Sequence, residues 1–191
     1  YGIRDEPVIA ESIAAGVDLV SFSGDKLLGG VQSGIIAGRH ELIEKIRKHP
    51  LYRALRVDKI VYAALEVTLE SFRHERAVDE IPVLRMLSMT KSEISRRATS
   101  LAETLKDRSD LIIEIIDGKS AVGGGASPDF QPETTLIALT HTTKPAQRLE
   151  YTLRLSDPPV IARIVDGKVL LDMRTVNESE EEELAKILSQ I

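Results

Sequence analysis

The stretch Val17–Gly38, VDLVSFSGDKLLGGVQSGIIAG, decides how this chain is read. Val17, Leu19, Val20 and Phe22 form a short buried strand, and Ser23-Gly24-Asp25 breaks it. Lys26 follows at once, then Leu27 and Leu28, then Gly29, Gly30, Gly34 and Gly38. A solvated surface charge is what most lysines are, and that is the competing reading. A Schiff-base lysine explains more of the pattern. Its amine must be partly desolvated to lose a proton and attack a carbonyl. Glycines around it let a flat ring and a phosphate approach the backbone closely. A place just past a strand end suits the lysine of a pyridoxal-phosphate enzyme.

The residues beside it need weighing. A carboxylate at Asp25 favours the protonated lysine, so a loop-shaping role suits it better than a catalytic one. Ser23, at the strand end, is a candidate to line the cofactor site. Gln32 either lines that site or makes a turn contact. Ser23-Gly24-Asp25-Lys26 also fits S-x-x-K, but that chemistry needs its serine at a helix start and the partner motifs S-D-N and K-T-G. Here the serine ends a strand and neither partner occurs.

Composition removes several function classes. The 191 residues carry no cysteine, so there is no disulfide frame, thiolate nucleophile or thiol-borne carrier of sulfur or selenium. Four histidines show no metal spacing. No apolar run approaches a membrane span and no secretory leader is visible, so a cytoplasmic location is expected. A net charge of -5 argues against indiscriminate nucleic-acid binding. Arg39 to Lys59 is nevertheless locally basic. Lys45, Arg47 and Lys48 fit the C-terminal end of a helix, where cations oppose the dipole. Arg53 and Arg56 stand three apart, so one helical turn would face both the same way. Paired guanidiniums make a fork for a phosphate-like anion. A structural ion pair is the alternative.

The rest reads as two pieces, 1–78 and 79–191. In the first, a short helix over Glu6 to Ala15 precedes the lysine strand, and Gly34–Gly38 is a neighbouring strand of a larger sheet. Glu41 to Lys48 is helical up to Pro50, and Asp58 opens a long helix to about His74. In the second, Thr90 and Glu93 form a capping box for a helix to about Lys106. Leu111–Ile116 and Thr134–Thr140 are strands flanking the loop Gly123 to Pro128, which resembles a phosphate cradle only weakly. Pro145 suits a helix first turn, with Leu149 and Leu153 buried. Val160–Val165 and Lys168–Met173 are strands joined by Asp166-Gly167, a type I′ hairpin signal. Asn177 caps a last helix with an acidic first turn. Helices on one face of an antiparallel sheet make this piece an α+β sandwich. Arg163 and Arg174 lie on or after the hairpin.

The run SFSGDKLLGGVQSGIIAG, continued by HPLYRALRVDK from His49 to Lys59, resembles bacterial selenocysteine synthases, the L-seryl-tRNA(Sec) selenium transferases. EIPVLRML (Glu80–Leu87), VGGGASP (Val122–Pro128) and PVIARIVDGKVLLDMRTV (Pro159–Val176) extend the likeness over essentially the whole chain. Val31 stands where that family has proline. The resemblance implies an α/β chain forming the C-terminal part of a fold-type I pyridoxal 5'-phosphate (PLP) dependent transferase. Residues 1–78 would be a remnant of its large domain and 79–191 its small domain. Lys26 would hold the cofactor and act as acid and base, with Ser23 and Gln32 beside it. Arg53 and Arg56 would bind selenophosphate. Fold-type I small domains often supply an arginine for a substrate carboxylate, which makes Arg174 a candidate. The partners implied are seryl-tRNA(Sec), selenophosphate and further copies of the chain as a homo-oligomer, with no membrane. Tyr1 is no initiator Met, so the sequence reads as a C-terminal portion, expected to be inactive alone. The residues that stack on the cofactor ring, and the tRNA-binding domain, are expected upstream. Two other readings stay open: a related PLP enzyme acting on a small amino acid or amino sugar acid without tRNA, and a non-catalytic oligomerisation piece.

Overall fold

A computed structural model describes residues 7–122 and 130–191, and the expected loop glycines Gly123 to Gly125 lie outside them. The chain mixes helices with two antiparallel sheets and divides into two compact units. One runs to Ser88 and takes residues 122 and 130 as well; the other comprises Met89–Ala121 and Gln131–Ile191.

In the first unit, α1 (Ile9–Ala14) leads into β1 (Leu19–Ser23), which pairs antiparallel with β2 (Gly34–Gly38) from Leu19↔Gly38 to Ser23↔Gly34. The expected neighbour relation is present, as a two-stranded sheet. Gly38 has φ +150, and a Cβ there would stand 2.2 Å from the Asp18 carbonyl oxygen, so only glycine lets β2 end against β1. Next come α2 (His40–Lys48) and α3 (Pro50–Leu55). Pro50 opens α3 as well as following α2, because a first-turn residue needs no N–H and His49 Nδ1 accepts from the Leu51 N–H at 3.3 Å. α4 (Lys59–Arg73) is capped as expected, with Asp58 Oδ1 accepting from the N–H groups of Ile60 at 2.9 Å and Val61 at 3.0 Å. Its apolar residues do not form one buried stripe: Ile60 is 79% exposed and Val67 69%. α5 (Ala77–Glu80) and α6 (Pro82–Ser88) close the unit. Ala77, Ile81 and Leu84 form a small core with Val83, and Ser71 Oγ of α4 donates to Glu80 Oε2 at 2.6 Å. These contacts keep residues 79–88 with the first unit, where the sequence reading put the division at Asp79.

The second unit is the expected sandwich. Its strands β3 (Leu111–Lys119), β4 (Glu133–His141), β5 (Arg163–Val165) and β6 (Lys168–Asp172) lie in the order β3-β4-β6-β5, all antiparallel. Three helices, α7 (Lys91–Thr104), α8 (Ala146–Arg154) and α9 (Glu181–Gln190), share one core with the sheet. Ile94, Ala98 and Leu101 of α7 meet Leu149 and Leu153 of α8, Leu184 and Leu188 of α9, and Ile137 and Leu139 of β4. Side chains alternate along a strand, so Leu136 and Ala138 fall in a separate cluster with Leu170. The Thr90–Glu93 capping box is complete. Asp166 and Gly167 have φ +50 and +75, as the I′ hairpin turn requires.

Two expectations in this unit change. Pro145 is the N-cap of α8 instead of a first-turn residue. Residues 160–162 do not join the sheet: the Val160 N–H donates to the Leu153 carbonyl, and Val160 and Ala162 pack against the core. Buried Arg97 ties the unit's ends together, with Nε donating to Glu181 Oε1 at 2.5 Å and its Nη atoms to the carbonyls of Met173 and Val176 at 2.9 and 2.7 Å. Such pairing offsets the large cost of burying a cation.

Candidate functional site

Lys26 sits in the turn that follows β1 and is exposed. Three backbone bonds compact the β1–β2 connection. The Gly24 N–H donates to the Ser33 carbonyl at 2.8 Å, the Gly30 N–H to the Gly24 carbonyl at 2.8 Å, and the Gly29 N–H to the Lys26 carbonyl at 2.9 Å. Gly24 is required by this closure, since a Cβ would lie 2.3 Å from Ser33 Oγ and 2.7 Å from the Val31 carbonyl oxygen. Gly29 has φ +71 and faces Ile81 with no room for a side chain. The lysine is therefore carried on a turn whose backbone has little freedom to shift.

Asp25 shapes this turn. Its Oδ1 accepts from Ser23 Oγ at 2.5 Å. That bond, helped by a backbone N–H and by the nearby Lys26 charge, holds the Asp25 carboxyl below the usual carboxylate range. Ser23 is thus engaged with Asp25, a local contact beside any it would make to a ligand. Gln32 is exposed on the same connection. Asp25, Lys26 and Gln32 accordingly belong to the β1–β2 connection, with Ser23 at the strand end that opens it.

The arginines differ from expectation in one respect. Arg53 lies on α3, but Arg56 is that helix's C-cap with extended backbone, φ −64 and ψ 141. The pair does not share a helical turn, because the chain must extend through Val57 to place Asp58 as the cap of α4. Both are exposed. Among the described residues neither forms an ion pair with a carboxylate, whereas Arg47 pairs with Glu44 at 2.7 Å. The structural ion pair weighed for Arg53 and Arg56 is absent there.

Two residues that sequence reasoning passed over complete this corner. Tyr52 of α3 and Tyr62 of α4 bring their hydroxyls to 3.3 Å. That bond raises the Tyr62 pKa, while the positive charges of Arg56 and Arg47 draw it down less strongly. The signal was in the sequence, since YRALR and KIVY put a tyrosine on each side of the basic turn. Single tyrosines are ordinary surface residues, so only the fold makes these two a pair.

Arg174 is a correction. It is 4% exposed in the second unit, not open to a substrate carboxylate. Its Nε donates to Ser120 Oγ at 3.0 Å, Nη1 to the Met89 carbonyl at 3.0 Å and Nη2 to the Glu133 carbonyl at 2.7 Å. Ser120 Oγ in turn donates to Asp172 Oδ2 at 2.6 Å, and Thr134 Oγ1 to Asp172 Oδ1 at 2.8 Å. Burial pulls the Arg174 pKa below its usual value. The geometry is that of a structural clasp. Two open clefts of 510 and 440 Å³ also lie in this unit, lined by residues of 148–191, and contain none of the candidate residues. Among the described residues no group of His, Cys, Asp or Glu is placed to hold a metal ion, and no helix is long and apolar enough to cross a membrane.

The sequence model of the family described as SelA, L-seryl-tRNA selenium transferase, matches residues 1–177. The L-seryl-tRNA(Sec) selenium transferase of Geotalea daltonii is 48% identical over 190 residues, covering 98% of this chain and 41% of its own length. Those of Aquifex aeolicus and Clostridium perfringens are each 42% identical, over 192 and 193 residues, covering 100% of this chain and 42% of their own. The chain spans about two fifths of the length of the curated relatives it matches.

Proposed function

The chain belongs to the L-seryl-tRNA selenium transferase family, and from that premise we propose that it is part of an enzyme making selenocysteinyl-tRNA(Sec) from seryl-tRNA(Sec) and selenophosphate. It would supply the cofactor lysine and the donor-binding arginines, within a fold-type I transferase that works as a cytoplasmic homo-oligomer. Residues before Asp79 belong in this reading to the large domain, and the sandwich to the small one. The observation that carries the proposal is the place of Lys26, just past the end of β1 on a turn closed by Gly24, Gly29 and Gly30.

In this reading the turn is where pyridoxal 5'-phosphate would be held, by Lys26. Lys26 is carried past the strand end on a turn whose Gly24, Gly29 and Gly30 are taken up by close internal packing, and the Asp25 carboxylate, held by Ser23, keeps the loop in shape. When bound, that group supplies the electron sink for charge developing at the seryl α-carbon. Lys26 Nζ would hold the cofactor and move the α-proton, a general acid–base task for which its turn would fix the approach. Ser23 acts through Asp25, and Gln32 lies on the same loop to contact the cofactor. Arg53 and Arg56, unpaired by carboxylates, hold the oxyanion of selenophosphate. The net exchange breaks the seryl Cβ–O bond and the Se–P bond of selenophosphate, forms a Cβ–Se bond and releases phosphate, which takes up the oxygen lost from serine. In this reading Arg174 serves the fold of the second unit and the substrate is held elsewhere.

Borohydride reduction of the full-length, cofactor-loaded protein followed by peptide mapping tests the site. The pyridoxyl label is expected on Lys26 and absent in Lys26→Ala. A label on another lysine would overturn the assignment.

A further inference from the structure

We propose that the hydroxyls of Tyr52 and Tyr62 complete the anion site of Arg53 and Arg56. The pair fixes the α3–α4 corner that carries Arg56, and its remaining O–H donates a hydrogen bond to an oxygen of the tetrahedral donor. This rests on the donor-binding role of the two arginines.

The proton count is the starting point. Two phenols bring two O–H groups, and their mutual bond at 3.3 Å uses one. Among the described residues neither hydroxyl has another hydrogen-bond partner, so one O–H remains for a third group. That group meets positive charge, since the Arg56 and Arg47 guanidiniums lie near enough to act on Tyr62. Arg47 is paired with Glu44 and its charge is partly offset; Arg56 has no such carboxylate among the described residues. A neutral O–H near the Arg56 guanidinium, which has no carboxylate partner among the described residues, matches a phosphate-like anion, whose oxygens accept from several directions at once. The site is also open: Tyr62 is 50% exposed and both arginines are exposed.

The corner explains why a hydroxyl pair serves here. Arg56 has left α3 and Asp58 already caps α4, so the backbone between the two helices is short and extended. The Tyr52–Tyr62 bond is a side-chain tie across that break. Without it Arg56 keeps its charge but loses its fixed place relative to Arg53.

The test uses the full-length, cofactor-loaded enzyme with Tyr52→Phe, Tyr62→Phe, Arg53→Ala, Arg56→Ala and Arg56→Lys. For each, cofactor absorbance, Tm, kcat, KM for selenophosphate and the inhibition constant of inorganic phosphate are measured. The variant that removes the donating hydroxyl is expected to raise both donor KM and the phosphate constant roughly tenfold, the loss of one hydrogen bond to a charged group, and the other to raise them by a smaller factor, because it only loosens the corner. Cofactor absorbance stays at the wild-type level and kcat within about twofold. Arg56→Ala raises both constants further, and Arg56→Lys recovers only part because a point charge lacks the planar fork. If both arginine→Ala variants raise the constants while both tyrosine variants leave them unchanged and only lower Tm, the hydroxyl pair is structural and the inference falls alone. If the arginine variants leave them unchanged as well, the donor-site reading falls with it.

Discussion

A single carboxylate shows how local chemistry sets a measurable property here. Asp110 accepts from Arg108 Nε at 2.7 Å and Nη2 at 2.9 Å, which holds its pKa at about 2. Arg108 also donates to the carbonyls of Leu188 and Ile191, and His141 Nε2 stands 3.5 Å from Asp110 Oδ2. A carboxyl with a depressed folded pKa contributes stability that is complete above its unfolded value of about 3.9 and is lost as pH falls toward 2. Asp110→Asn is therefore expected to flatten the stability profile between those limits, as read by urea midpoints against pH. An unchanged acid limb would show the pair to be without effect. The Arg108–Asp110 spacing is visible in the sequence, whereas the reach to Leu188 and Ile191 is not, because those acceptors arrive through the fold. Arg174 teaches the same lesson more sharply. Its sequence position after a hairpin suits a substrate arginine, and the approach of Met89, Ser120 and Glu133 from distant segments makes it a clasp.

Elements were legible where a local rule governs them. Thr90 and Glu93 announce α7, Asp58 announces α4, and Asp166-Gly167 announces the hairpin, because caps and turns depend on neighbours along the chain. Thr90→Ala removes one half of the capping box, in which the Thr90 N–H donates to Glu93 Oε2 at 2.7 Å and Thr90 Oγ1 accepts from the Glu93 N–H at 3.3 Å. The expected loss is about 1 kcal/mol, seen calorimetrically as a Tm lower by roughly 4–8 °C for a domain of this size. A change below a degree or so would mean the cap is redundant. Elements were illegible where tertiary contacts overrule propensity. Val160 has a strand former's side chain, yet Pro158 and Pro159 just before it carry no N–H to donate to a ladder, and the core takes the side chain instead. Arg56 looked helical from its spacing and is extended because the next helix needs its cap.

At the scale of the molecule, the sandwich carries the larger core, and the unit before it keeps Ile60, Val67 and Leu69 of α4 exposed. Residues 89–191 are expected to fold as a separate cooperative domain, with a single urea transition that coincides by far-UV circular dichroism and by tyrosine fluorescence. Non-coincident transitions would show that the sandwich depends on residues before Met89. The clasp of Arg174 bears on how that domain opens. One guanidinium holds the approach to α7, the end of β3 and the start of β4, and beside it the Ser120 N–H donates to the Pro132 carbonyl and the Arg174 N–H to Asp172. In deuterated solvent these two amides, far apart in the chain, should therefore exchange at one common rate, and Arg174→Met should release them together while the amides of α9 keep their protection.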